Sequence, residues 1–225
     1  MVKIIFLGPP GAGKGTYSSR LETKLKIPHI STGDMFRQAI TQGTDLGRKV
    51  SDYIRQGELV PDETTIAVLK NRIDQQDCAK GFILDGYPRT IPQAKALDRV
   101  TAIDIVFNLV IPKSILFKKL SARRVCKLCG EIYNLTDIAE YIDGIKYDMP
   151  PMLPRKPGIC DKCGGVLEQR KDDTLAVIEQ RFNVYEAQTE PLIKYYKQQG
   201  RLREIYVNSG PESMVPKIMA ELKKI

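Results

Sequence analysis

Short apolar or β-branched runs recur along the chain, each separated from the next by a longer, more polar stretch with helix-compatible composition. The runs fall at residues 2–7, 82–84, 103–111 and 202–207, and their character predicts strands buried inside a sheet. Helices are predicted over residues 16–26, 61–75, 113–124, 174–199 and 212–224, the second with acidic residues in its first turn. Strand and helix in alternation predict an α/β fold, a parallel sheet flanked by helices.

Two segments break this rhythm. Residues 31–60 carry Gly33, Gly43, Gly47 and Gly57 among polar helical stretches, and residues 122–173 hold four of the five cysteines and a proline-rich tract at 150–157. Both read as insertions able to move against a core made of residues 1–30, 61–121 and 174–225.

Composition narrows the class. The chain has 225 residues, 42% of them apolar, enough for one substantial core with smaller appended modules and without a run resembling a membrane span. Met1 leads straight into the first strand, with no leader-like segment, so the expected compartment is the cytoplasm. A net charge of +8 invites nucleic acid as a partner, but the basic residues are dispersed rather than gathered in one block, so neither nucleic acid nor membrane is expected.

The sharpest signal is Gly8-Pro-Pro-Gly-Ala-Gly-Lys-Gly-Thr16, set between the first strand and the first helix. Glycines let backbone N–H groups turn around a polyphosphate, the helix N-terminus adds its positive end, and Lys14 reaches the β/γ-phosphates. A nucleoside triphosphate is the expected ligand, bound by Gly11, Ala12, Gly13, Lys14, Gly15 and Thr16. The general pattern places Ser or Thr directly after the lysine to hold Mg²⁺; here Gly15 stands there, so the metal should lean on phosphates, water and a carboxylate elsewhere. Asp85, at the carboxyl end of a predicted strand, is the natural partner through water, the alternative being an aspartate that opens a turn at Asp85-Gly86. Arg89 beyond it can fork onto a phosphate, with Pro88 fixing a cis or otherwise rigid turn.

Cys126-x-x-Cys129 and Cys160-x-x-Cys163, each followed by glycine, have the spacing of knuckles that wrap a metal. Four thiolates leave no open coordination position, so the expected zinc is structural; disulfides are the competing account. Cys78, without a sequence partner, reads as an apolar filler. Arg37, Arg123, Arg124, Arg170 and Arg181 stand at the edges of the insertions. Together with Lys14 they suit phosphoryl transfer between two anions, whose transition state spreads charge over three equatorial oxygens, although Arg124 has a packing role as its alternative. The lone His29 reads as structural rather than as a general base. A phosphate-monoester acceptor, with a second pKa of about 6, needs no base to become a nucleophile.

In this order the motifs resemble the adenylate kinases, in particular long-form members with a zinc-binding lid. The resemblance rests on residues 8–16, on Ile30-Ser-Thr-Gly-Asp-Met35, on Glu58-Leu-Val60, on residues 81–90 with Gln93, and on Arg123-Arg124 and Arg170-Lys-Asp-Asp173 around the cysteines. It implies a P-loop kinase fold, an inserted AMP-binding unit at 31–60, a zinc lid at 122–173, a monomer, and the reaction of MgATP with AMP to give two ADP. An ATP site is implied at residues 11–16 with Lys119, Arg123, Ile132, Tyr133 and Tyr206, Ile132 and Tyr133 meeting adenine or ribose and the backbone near Tyr206 meeting adenine. An AMP site is implied at Thr32, Arg37, Glu58, Leu59, Val60, Gly86, Tyr87, Pro88, Arg89, Gln93, Arg170 and Arg181, Gln93 reading the adenine edge. Lys14, Asp85, Arg89, Arg123, Arg170 and Arg181 form the implied catalytic set. Lys119 stands where many members have arginine, which keeps the charge and loses the fork. The 30 residues between Cys129 and Cys160 make the lid longer than is usual, an added helix or hairpin being expected. A kinase for another nucleoside monophosphate, or one using GTP, is the alternative reading.

Overall fold

A computed structural model describes residues 1–224; Ile225, the last residue of the expected core, lies outside the described residues. The chain runs through β1 (Val2–Leu7), α1 (Lys14–Leu25), β2 (His29–Ser31), α2 (Thr32–Thr41), α3 (Asp45–Gln56), α4 (Asp62–Ile73), β3 (Gly81–Asp85), α5 (Ile91–Val100), β4 (Ile105–Val110) and α6 (Lys113–Ser121). It continues through β5 (Arg123–Cys126), β6 (Ile132–Asn134), β7 (Ile138–Ile142), β8 (Ile145–Met149), β9 (Leu167–Glu168), α7 (Leu175–Val184), α8 (Pro191–Gln198), β10 (Leu202–Tyr206) and α9 (Pro211–Leu222).

Five strands form one parallel sheet in the order β10-β4-β1-β3-β2. The apolar run of β1 explains its central place. Ile4 and Phe6 enter the core on one face with Phe107 and Ile178, while Ile5 and Leu7 enter the other with Leu84 and Tyr196, so the strand needs apolar residues on both sides. Phe6 and Phe107 stack across β1 and β4 with ring centroids 5.5 Å apart. From β1 the chain order steps to β3 on one side and to β4 on the other. This is the switch point at which open α/β sheets leave a crevice beyond their carboxyl ends.

Two expected elements are corrected, and two others were not expected. The helix expected over 174–199 is α7 and α8 joined by a wider π turn at Tyr185–Thr189, just ahead of Pro191, which has no N–H to continue the ladder. The helix expected to 124 ends at Ser121, and Arg123 and Arg124 lie on β5, paired with Asn134 and Tyr133 of β6. β2 and α5 were not among the predicted elements.

In residues 31–60, Ser31 and Thr44 cap α2 and α3 by accepting from the N–H of Asp34 and Gly47 at 3.3 and 3.1 Å. Gly47 permits their crossing, because a Cβ there would sit 2.1 Å from the Ala39 carbonyl oxygen. In residues 122–173, β6-β5-β9 make a small antiparallel sheet and β7–β8 a separate hairpin. Of the expected helix or hairpin, the added element is the hairpin. Its turn is Asp143-Gly144, both at positive φ (50° and 77°), as a two-residue turn of this kind requires. No helix among the described residues is long and apolar enough to cross a membrane.

Candidate active site

The loop between β1 and α1 turns at Gly13, whose φ of 99° suits glycine and where a Cβ would press on the Tyr17 ring at 2.9 Å. Lys14, the first residue of α1, folds its Nζ back to donate to the carbonyls of Gly8 and Pro9 at 2.6 and 2.9 Å. Burial pushes its pKa down to about 7, against the attraction of Asp85. Asp85 ends β3 beside this loop, and a Cβ on Gly15 would lie 3.2 Å from its Oδ2. Burial works to raise its pKa, but His29 and Lys14 outweigh burial and hold it low. His29, brought alongside by β2, places Nε2 3.5 Å from Asp85 Oδ2, too long for a well-formed hydrogen bond.

A single wide cavity opens over the carboxyl ends of the strands and runs from this loop to both insertions. Gly11, Gly13, Lys14, Gly15 and Thr16 line it, with Arg37, Asp85, Arg89, Lys119, Arg123, Ile132, Arg170 and Arg181. Four of these five arginines are held by carboxylates rather than left loose, Arg89 being the exception. Arg123 grips Asp173, and Arg181 reaches both Asp172 and Asp173 at 3.1 Å. Asp34 takes Arg37 and, at 3.4 Å, Arg170. Even so, burial and then neighbouring cations pull the pKa values of Arg170 and Arg181 below the usual guanidinium range. Positive charge is crowded here, and an anion relieves it.

A smaller recess adjoins the cavity, walled by Thr32, Glu58, Leu59, Val60, Gly86, Arg89 and Gln93. Its polar groups are set by one another. Thr32 Oγ1 and Arg89 Nε both donate to the Gly86 carbonyl, at 2.7 and 2.9 Å, beyond the cis Tyr87–Pro88 peptide. Gln93 Nε2 donates to Asp62 at 2.7 Å while its Oε1 accepts from the Arg89 N–H at 2.8 Å, which leaves one N–H and one lone pair of the amide over.

Four residues of the implied sites lie off these walls. Tyr133 turns into the cysteine cluster, where its hydroxyl accepts from the Asp161 N–H at 2.8 Å and approaches Cys160 Sγ. Tyr206 is 60% exposed, its hydroxyl on Glu204. The Tyr87 ring is in the core, donating to the Gln93 carbonyl at 3.0 Å, and the Ala12 methyl is in the core as well. Sequence reasoning missed Asp34, Asp172 and Asp173 as arginine anchors, although Asp34 and the Asp172-Asp173 pair sat inside quoted motifs. It also missed Ile138 and Met149 of the hairpin, which line the cavity beside the loop after β10.

The four lid sulfurs lie within 4.8 Å of one another, with Cys126 to Cys163 at 3.4 Å and Cys129 to Cys160 at 3.6 Å. A disulfide needs about 2.05 Å, whereas the edge of a tetrahedron with metal–sulfur bonds of about 2.3 Å is about 3.8 Å. The donor set fits a closed metal site. Cys78 is buried apart from it beside Arg72.

Comparison with known proteins agrees with this architecture. Residues 6–201 match the family described as adenylate kinase. An adenylate kinase of Desulforudis audaxviator is 47% identical over 209 residues, 91% of each chain. One from Archaeoglobus fulgidus is 44% identical over 229 aligned positions, covering 100% of this chain and 99% of its own. One from Carboxydothermus hydrogenoformans is 45% identical over 99% of this chain and 100% of its own. Likeness of this depth over whole chains, on a sheet whose switch point carries the phosphate loop, leaves one conclusion: the chain belongs to the adenylate kinase family and is a phosphotransferase.

Proposed function

We propose that the protein transfers the γ-phosphoryl group of MgATP to AMP, reversibly and in line, giving two ADP and so keeping the adenine nucleotides in balance. The observation that carries this reading is the ring of half-buried cations, Lys14, Arg89, Arg123, Arg170 and Arg181, between the phosphate loop and the smaller recess. Two polyanions brought end to end need such a ring.

The donor triphosphate lies along the loop of residues 11–16, with Lys14 and Arg123 on its phosphates and Lys119 and Ile132 toward its base. AMP lies in the recess of Thr32, Arg37, Glu58–Val60 and Gln93. The N–H and lone pair that Gln93 keeps over match the acceptor and donor of an adenine edge. Arg89, Arg170 and Arg181 clamp the group in flight, and His29 takes no proton from the acceptor. Asp85, a buried carboxylate beside Lys14, suits a water-mediated Mg²⁺. When bound, the ion neutralises part of the triphosphate charge and orients it. Four thiolates suit zinc, which would fasten residues 122–173 as a unit without entering the chemistry. Residues 31–60 and 122–173 close over the substrates and exclude water. A monomer in the cytoplasm is the working state.

The test is ADP formation from MgATP alone, and then with AMP, CMP, UMP or GMP added in turn. ADP only with AMP supports the reading. Turnover without an acceptor points to an ATPase, and preference for another monophosphate reassigns Thr32 and Gln93.

A further inference from the structure

The β7–β8 hairpin has a task that the phosphotransfer reading does not use. Its strand alternation puts Ile138, Tyr147 and Met149 on one face, and all three are buried in the main core cluster with Leu116 of α6 and Met214 of α9. Tyr141 on the other face is 75% exposed. The hairpin is thus seated on the core, although it belongs to the lid segment in sequence.

A backbone bond fixes the seat. Asp143-Gly144 makes Ile142 and Ile145 the closing hydrogen-bonded pair, and pairs alternate from there, so Asp148 opposite Ala139 turns its N–H away from β7. That N–H donates to the Asn208 carbonyl at 2.9 Å, in the loop between β10 and α9. The next residues of the loop, Ser209 to Pro211, wall the same end of the cavity as Ile138 and Met149. Lys119 completes it, with Nζ 3.9 Å from Met149 Sδ.

This end differs in chemistry from the middle of the cavity. One cation faces apolar side chains here, whereas the arginines gather around the phosphate loop. A flat, weakly polar ring suits such a slot and a phosphate does not. We propose that the β7–β8 hairpin is the wall against which the donor's base packs, through Met149 and Ile138, and that the Asp148 N–H on Asn208 clasps this wall to the core and thereby sets affinity for the triphosphate. The proposal rests on the donor lying along the phosphate loop, as above.

Calorimetric Kd values for ATP and for AMP, together with turnover, test it on the whole protein. Met149→Ala should weaken ATP about five- to tenfold and leave AMP within about twofold. Asp148→Pro, which removes the N–H and places a ring at that outward-facing strand position, should weaken ATP about threefold or more, and Asp148→Ala accounts for the carboxylate that both variants lose to Lys146. Asp148→Ala, which keeps the N–H, and Tyr141→Ala should leave ATP binding unchanged. Unchanged ATP affinity in both Met149→Ala and Asp148→Pro overturns the proposal, and so does an equal loss for AMP. Because Kd is read without turnover, a wild-type protein that binds ATP but does not phosphorylate AMP would fail the functional reading alone, and the variants would still judge the hairpin.

Discussion

Arg123 and Asp173 meet across the neck of the lid segment. Arg123 Nε and Nη2 donate to the two carboxylate oxygens of Asp173 at 2.8 and 2.5 Å, and the aspartate side chain is fully buried. Asp173 also receives Arg181, so one carboxylate aims two guanidinium groups at the cavity. Removing it leaves both charges without that partner in a poorly solvated place. Asp173→Ala should cost about 3 kcal/mol of stability, read by denaturant unfolding. Asp173→Asn, which keeps the shape but not the charge, should also destabilise and should lower kcat, because the two-oxygen grip on Arg123 is lost. Wild-type kcat in Asp173→Asn would show that Arg123 needs no such aim.

Two lysines make opposite predictions for folding and for binding as pH rises. Burial depresses Lys14 to about 7 and Lys119 to about 8, from 10.5 in each case. Between those values and 10.5 the unfolded chain binds more protons than the folded one, so nucleotide-free stability should increase with pH through this window. In the proposed ATP site Lys14 acts as a cation on the phosphates, so ATP affinity should fall over the same range, and binding near pH 8 should take up a proton. Calorimetry in buffers of different ionisation enthalpy reads that uptake. Lys14→Met should flatten the binding profile, and an unaltered profile in that variant would rule out the assignment.

Metal removal separates fastening from chemistry. Cys129→Ser, or treatment with a strong chelator, should release one zinc and lower Tm by roughly 5–10 °C, corresponding to about 2–3 kcal/mol. Calorimetric Kd values for ATP and AMP at a temperature where the variant stays folded should remain close to wild type. Full metal content in Cys129→Ser would contradict the four-thiolate site.

Gly47 ties packing to the acceptor. Its missing side chain lets α3 cross the Ala39 carbonyl of α2, and Arg37 and Glu58 hang from this pair of helices. Gly47→Ala must push the helices apart, at a cost of roughly 2 kcal/mol or more. KM for AMP should rise well before KM for ATP does, and equal effects on both substrates would refute the division of labour.

What could be read from the chain follows from how local each feature is. β1, its glycine loop and α1 are contiguous, and the cysteine pairs carry their geometry in their spacing, so both were legible. β2 is three residues long, two of them polar, and it is a strand only because Ile83, Leu84 and Asp85 pair with it. The resemblance puts Ile132 and Tyr133 in one site. On β6, successive side chains point to opposite faces, so Ile132 meets the cavity and Tyr133 the cysteines. The anchoring roles of Asp34 and Asp173 needed distances, since their partners Arg170 and Arg123 lie 136 and 50 residues away.

The walls of the cavity span Phe6 to Pro211. A ribosome that has delivered the phosphate loop has therefore delivered no enzyme. The cavity is incomplete until the loop after β10 has left the exit tunnel. Residues about 200 positions apart must both have emerged before the cavity exists, and a chain cut short by a premature stop before that loop would lack one of its walls.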